Sequence, residues 1–223
     1  SKTKIIYQLL SKHLDQGFPG NLYVNCIYEL IDKKLNIKYE YNSDRETHVN
    51  ITNHSYWNLN KNKKYNIFNH DLKINSGKYL EVNNKLIPTG KYKLVKDTIN
   101  DFREFKNIGK KMALIKKQNP KKFSNTINQS GFDITYCIKK NLRNYVATLK
   151  NQKNKLTLDF FSNLPGVQLY TSQSLRYKKK LFPYQGICLE TQFFPDAPNK
   201  KNFPKTLIKT NKSYKFFTTI KIN

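Results

Sequence analysis

Apolar and polar residues alternate along much of the chain. Leu35, Ile37, Tyr39 and Tyr41 alternate with Asn36, Lys38 and Glu40, a period of two that turns one row to a core and the other to water. Residues 21–30 form a similar run, and Ile31-Asp32-Lys33-Lys34 between the two predicts a hairpin turn. The pattern returns at residues 144–150 and 156–162, joined by Asn151-Gln152-Lys153-Asn154. Near the end, Tyr214, Phe216, Thr218, Ile220 and Ile222 share one face. Short strands separated by polar turns predict an antiparallel all-β domain. One helix is predicted over residues 101–109, with Asp101 capping the amide of Glu104, Phe102, Phe105 and Ile108 on one side, and Gly109 ending it. The basic stretch 110–122, with one proline and no clear period, reads as an exposed connection. Neither a repeat nor a linker divides residues 1–223, which read as a single domain.

Composition narrows the class. At 223 residues the chain can bury a sizeable core, and 15 Tyr, 14 Phe and one Trp supply bulk where a hydrophobic share of only 38% is low. A net charge of +26 invites a nucleic-acid partner. The lysines are scattered, however, arginine is rare, and runs such as Lys110-Lys111, Lys116-Lys117, Lys121-Lys122 and Lys178-Lys179-Lys180 read as solvated loops, so no specific nucleic-acid binding is expected. Cys26, Cys137 and Cys188 are odd in number and share no short spacing, which fits reduced, buried thiols in a cytoplasmic protein. No apolar run has the length of a membrane span and no signal peptide opens the chain. Ser1 leads directly into the apolar run Ile5-Ile6-Tyr7, a start expected of a fragment that begins inside a domain.

Three windows are nearly free of charge in this basic chain: residues 47–60, 162–175 and 181–195. The first offers the imidazole of His54, and the third has Glu190 as its one formal charge. An imidazole and a carboxylate among amides and aromatics are the parts of a general acid and base pair. On a strand, Cys188, Glu190 and Gln192 point one way and Ile187, Leu189, Thr191 and Phe193 the other. That spacing is equally that of a Glu facing solvent, and for His54 a satisfied core histidine is locally the commoner case. Tyr56 and Trp57 beside Asn53 and Asn58 suit a pyranose, whose C–H faces stack while its hydroxyls need partners. Gln168 and Asp133, each after a turn-like glycine segment, are further candidates. His13, His48, His54 and His70 lack close ligand spacing and a cysteine partner, so no metal site is expected.

In order along the chain come GFPGNL (17–22), NITNHSYWNL (50–59), IPTG (87–90), DFR (101–103), IG (108–109), GFD (131–133), PGVQLYT (165–171), LETQFFPDAPN (189–199) and NFP (202–204). Together they resemble the aldose 1-epimerase, or galactose mutarotase, family from about Gly17 to the end of the chain. The resemblance implies a large antiparallel β-sandwich with a sugar cleft on its concave face, and interconversion of the α and β anomers of free aldoses such as galactose and glucose. It further implies that His54 is the general acid, Glu190 the general base, and Tyr56, Asp133 and Gln168 substrate-binding residues, with no metal or organic cofactor and a monomer or homodimer acting on a small aldose.

The chain departs from the family pattern at Ile134, where histidine usually follows GFD, and at Ser172-Gln173, where Gly-Asn is usual. Family members also carry an earlier segment with an arginine and a second histidine that hold the sugar. Nothing here matches it, so the sandwich is expected to be incomplete at the N-terminus. Two other functions compete: a sugar-binding relative without catalysis, and a mutarotase for phosphorylated hexoses, which lacks an arginine pair to grip phosphate.

Overall fold

The computed structural model describes residues 2–62, 64–118, 130–139, 142–176, 178 and 180–223. Among these are, in chain order, β1 (Lys2–Ser11), β2 (Leu22–Ile31), β3 (Lys34–Ser43), β4 (Thr47–His48), β5 (His70–Ile74), β6 (Lys78–Val82), β7 (Pro88–Leu94) and β8 (Lys106–Asn107). The helix α1 (Ile108–Gln118) follows, and then β9 (Asp133–Cys137), β10 (Tyr145–Asn151), β11 (Thr157–Ser162), β12 (Gly166–Tyr170), β13 (Cys188–Gln192), β14 (Leu207–Ile208) and β15 (Tyr214–Ile222).

The predicted alternations become strands because their apolar rows have a core to enter. Ile37, Tyr39 and Tyr41 of β3 are buried, and Asp32 turns the β2–β3 hairpin with a left-handed φ of 52°, a conformation that aspartate tolerates. The runs around residues 151–154 form the β10–β11 hairpin in the same way. The ladders are antiparallel and build an eight-stranded sheet ordered β1-β2-β3-β15-β11-β10-β5-β8 and a five-stranded sheet ordered β13-β12-β9-β6-β7. Ile37, Leu149, Phe160 and Ile220 of the large sheet share one apolar cluster with Tyr136, Val167 and Leu169 of the small sheet, which makes the fold a β-sandwich. Each such side chain contributes about 1.5–3 kcal/mol by leaving water.

The helix is displaced from its predicted place. Residues 101–105 are irregular, because Asp101 bonds locally to the backbone N of Arg103 at 3.1 Å and to its guanidinium at 2.7 Å and 2.9 Å. Asn107 is the actual cap, its Oδ1 accepting from the amide of Lys110 at 2.9 Å. Gly109 lies in the first turn rather than at the end, where a Cβ would come within 2.6 Å of the Phe68 carbonyl. Ile108, Met112 and Ile115 face the core at helical spacing, while Phe105 is exposed. Lys110, Lys111, Lys116 and Lys117 are therefore helical, not loop residues. Lys121-Lys122, with the whole stretch 119–129, and Lys179 lie outside the described residues. Of the three cysteines, all free, only Cys188 is fully buried; Cys26 and Cys137 are half-buried.

Candidate active site

The small sheet sets out a grid of side chains. Thr135, Gln168 and Glu190 are directly opposed across β9, β12 and β13, and so are Asp133, Tyr170 and Cys188 two positions along. Directly paired residues and i, i+2 neighbours share a face, so all six point the same way. Both faces of β13 are covered, Cys188 and Glu190 on one side and Leu189 and Thr191 on the other all being buried, and Glu190 is only 6% exposed, which removes the reading of Glu190 as a solvent-side residue.

The first charge-poor window lies along the free edge of β13. Asn50 imitates a strand partner, donating to the Phe193 carbonyl at 3.1 Å and accepting from its amide at 2.9 Å. The Thr52 hydroxyl donates to the carbonyl of Thr191 at 3.0 Å, and Trp57 exchanges backbone bonds with Ile187 at 2.8 Å and 2.9 Å. Between these anchors stands His54. Its Nε2 is 3.3 Å from Glu190 Oε1 and its Nδ1 is 3.5 Å from Cys188 Sγ. Tyr56 stacks on the imidazole at 5.0 Å between ring centres, and Tyr170 meets it edge-on at 6.2 Å. Gly186 makes room for this, since a Cβ there would lie 2.8 Å from that of Tyr56. The second window, through Gln168 and Tyr170, completes the cluster.

Burial decides the electrostatics. It raises the Glu190 carboxyl above its ordinary range; the His54 imidazole opposes this and the Asp133 charge adds to it. Asp133 is raised by burial too, offset by the Gln168 Nε2 hydrogen that it accepts at 2.6 Å. Thr135 donates to the other end of the same amide, at Gln168 Oε1, and so fixes which atom faces Asp133. The Tyr56 hydroxyl is pushed up to about 12, chiefly by burial. A proton donor and acceptor, an oriented acceptor and an exposed aromatic face thus surround one point.

All five residues expected from sequence, His54, Tyr56, Asp133, Gln168 and Glu190, come together here. Thr135 was not expected; its signal is the two-residue spacing from Asp133 on the same strand. The expectation that no histidine has a cysteine partner fails at His54, because sequence distance conceals the contact with Cys188. The other histidines are occupied in the framework. His13 Nδ1 accepts from Gly20 N at 2.9 Å, His48 Nδ1 meets the Thr206 hydroxyl at 2.9 Å, and buried His70 bridges the Leu59 amide and the Ile67 carbonyl. A separate depression of about 380 Å³ is lined by His48, Asn50, Phe194 and Asp196, but Asp196 is held by Asn199 and Lys200.

The aldose 1-epimerase family model matches residues 1–221. The chain belongs to the aldose 1-epimerase family. It is 32% identical to galactose mutarotase of Bos taurus over 216 residues, covering 94% of this chain and 60% of that protein. It is 31% identical to the Homo sapiens galactose mutarotase, covering 97% and 62%, and 31% identical to the aldose 1-epimerase of Escherichia coli, covering 91% and 58%. The chain thus spans about 60% of the length of these relatives. A crystal structure of an aldose epimerase homologue from C. elegans superposes with a TM-score of 0.84 at 23% identity, over 99% of this chain and 65% of that one. A galactose 1-epimerase from Lactobacillus acidophilus gives 0.81 at 24%, over 100% and 63%. These likenesses show the fold.

At the departures from the family pattern the side chains are tied into the framework. Ser172 takes a left-handed φ of 52° where the resemblance expects glycine, and its hydroxyl donates to the Gly186 carbonyl at 2.7 Å. Gln173 ties Thr171 to the Phe132 carbonyl, and Ile134 packs against the core.

Proposed function

We propose that this chain is an aldose 1-epimerase, an isomerase that interconverts the α and β anomers of a free hexose such as galactose or glucose. The reading rests on one observation above others: His54 and Glu190 meet at 3.3 Å on the only side of β13 that carries ionisable groups. The ring oxygen and the anomeric hydroxyl of a pyranose are bonded to the same carbon, so the acid and base that act on them must be neighbours. Glu190 removes the proton of the anomeric hydroxyl while protonated His54 Nε2 gives one to the ring oxygen. The ring C–O bond breaks and a carbonyl forms at the anomeric carbon. Rotation about the first carbon–carbon bond presents the other carbonyl face, and reclosure reverses both transfers. Every proton returns, and no redox partner or cofactor is consumed.

Burial favours this chemistry, because a carboxylate with a raised pKa is a stronger base than one in water. Asp133, held by Gln168, accepts a sugar hydroxyl, and Tyr56 offers its ring to the sugar's C–H face. The partner is a small aldose, and the three free thiols agree with a cytoplasmic setting. Among the described residues no helix is long and apolar enough to cross a membrane.

The test is the optical rotation of freshly dissolved α-D-galactose in the presence of the folded chain. Relaxation faster than buffer is expected, and Glu190→Gln is expected to slow the catalysed part by about 10²- to 10⁴-fold. A folded protein that binds galactose yet leaves relaxation at the solvent rate would make it a sugar-binding relative.

A further inference from the structure

Cys188 has no part in the acid–base scheme, yet it is a fully buried thiol in contact with the acid. His54, Cys188 and Glu190 each offer one ligand atom, a nitrogen, a sulfur and an oxygen, and the three atoms lie within 4.8 Å of one another. Tetrahedral zinc with bonds of about 2.0–2.3 Å holds its ligands about 3.3–3.8 Å apart, so the trio needs only small side-chain shifts to converge on one ion. A mixed imidazole, thiolate and carboxylate set selects a borderline-soft ion over magnesium or calcium, which want oxygen. Three protein ligands leave a fourth position for water. The His54 side chain is 52% exposed, so an ion has a path in from solvent.

We propose that His54, Cys188 and Glu190 capture a single zinc-class divalent cation, and that the bound ion excludes the sugar. The ion occupies the point between acid and base, and uses as ligands the two groups that proton transfer requires. Cys188 exchanges its S–H bond for a metal–sulfur bond and releases the proton to solvent; nothing is oxidised. The site is therefore an inhibitory one. Binding stands on the geometry of the three ligand atoms alone, whereas inhibition rests on the mutarotase reading above.

Cobalt(II) is the probe, because a thiolate ligand gives it a near-ultraviolet charge-transfer absorption. Titration of the intact chain is expected to produce that absorption at one equivalent, with displacement by one equivalent of zinc. Cys188→Ser is expected to abolish it and to weaken zinc binding more than about tenfold, while Cys26→Ser and Cys137→Ser retain it. His54→Ala, at an exposed position, provides a second ligand-removal variant in case Cys188→Ser does not fold. Absence of the band, or its persistence in both ligand variants, overturns the site. In the polarimetric assay, zinc is expected to return the relaxation to the solvent rate and a chelator to restore it. Mutarotation that continues unchanged with zinc bound overturns the inhibition. A cobalt band in a chain that never accelerates mutarotation upholds the metal site and rejects the enzyme, and the converse result rejects the metal site alone.

Discussion

Gln168 and Glu190 face each other directly across the β12–β13 ladder, and Gln168 is held at both ends of its amide, by Thr135 on one side and Asp133 on the other. The proposed base therefore sits beside a side chain that cannot flip. Because Gln168 Nε2 donates to Asp133, the carboxylate is oriented before any sugar arrives.

Thr135→Val removes the hydroxyl that fixes this amide while keeping the shape of the buried side chain. Ground-state sugar contacts are then loosened and the proton-transfer pair is left intact. KM is expected to rise about fivefold, equivalent to about 1 kcal/mol for one hydrogen bond, with kcat changed little. Steady-state polarimetry separates the two constants, and a fall in kcat with KM unaltered would remove Thr135 from this role.

Glu190 must be ionised to accept a proton. Burial raises its pKa, the nearby His54 opposes the rise, and the Asp133 charge adds to it, so the catalysed rate is expected to fall on the acid side at a pH above the ordinary 4.5. Asp133→Asn deletes one raising influence and is expected to move the midpoint of that limb down, whatever it does to sugar affinity. The check is a rate–pH profile with the buffer reaction subtracted; a midpoint indifferent to Asp133 would mean that another group titrates.

How much of this was legible depended on the range of the interaction. Strands such as β3 and β15, and the hairpin turn at Asp32, were legible because a period of two and a polar turn are local patterns. The convergence of three charge-poor windows was only implied: their lack of lysine is visible in the chain, but the edge pairing of Asn50 and Trp57 along β13 is not. The Cys188 contact escaped for the same reason. The helix was misplaced because Asp101 and Asn107 are both competent caps. Tertiary packing chose Asn107, whose amide also donates to the carbonyls of Phe68 and His70, and Gly109 serves close packing instead of chain termination.

That choice can be tested by stability. Asn107→Ala removes the cap of α1 and the bridge to the Phe68–His70 segment. A cap alone is worth about 1 kcal/mol, which in a chain of this size lowers the melting temperature by about 2–4 °C. The added tertiary bonds are expected to enlarge the drop. Thermal denaturation followed by circular dichroism measures it, and the catalysed rate per folded molecule is expected to stay unchanged, because α1 packs against β5, β8 and residues 67–69, none of which carries a residue of the site.

Glu190→Gln is expected to separate function from stability. The folded-state pKa of Glu190 lies above its unfolded value, so the favourable contribution of the neutral acid is fully present below about pH 4.5 and is lost as pH rises through the folded pKa. At neutral pH the folded protein therefore bears the cost of an ionised, desolvated carboxylate. Glutamine keeps the size and the polar atoms and removes the charge. The variant is expected to melt no lower than the parent at neutral pH, with any gain shrinking towards pH 4, although its catalysed rate is lost. Scanning calorimetry at the two pH values decides the matter. A neutral-pH melting temperature clearly below that of the parent would mean that the attraction between His54 and Glu190 at 3.3 Å outweighs the burial cost, and Glu190 would then be a stabilising ion-pair partner instead of a destabilised base.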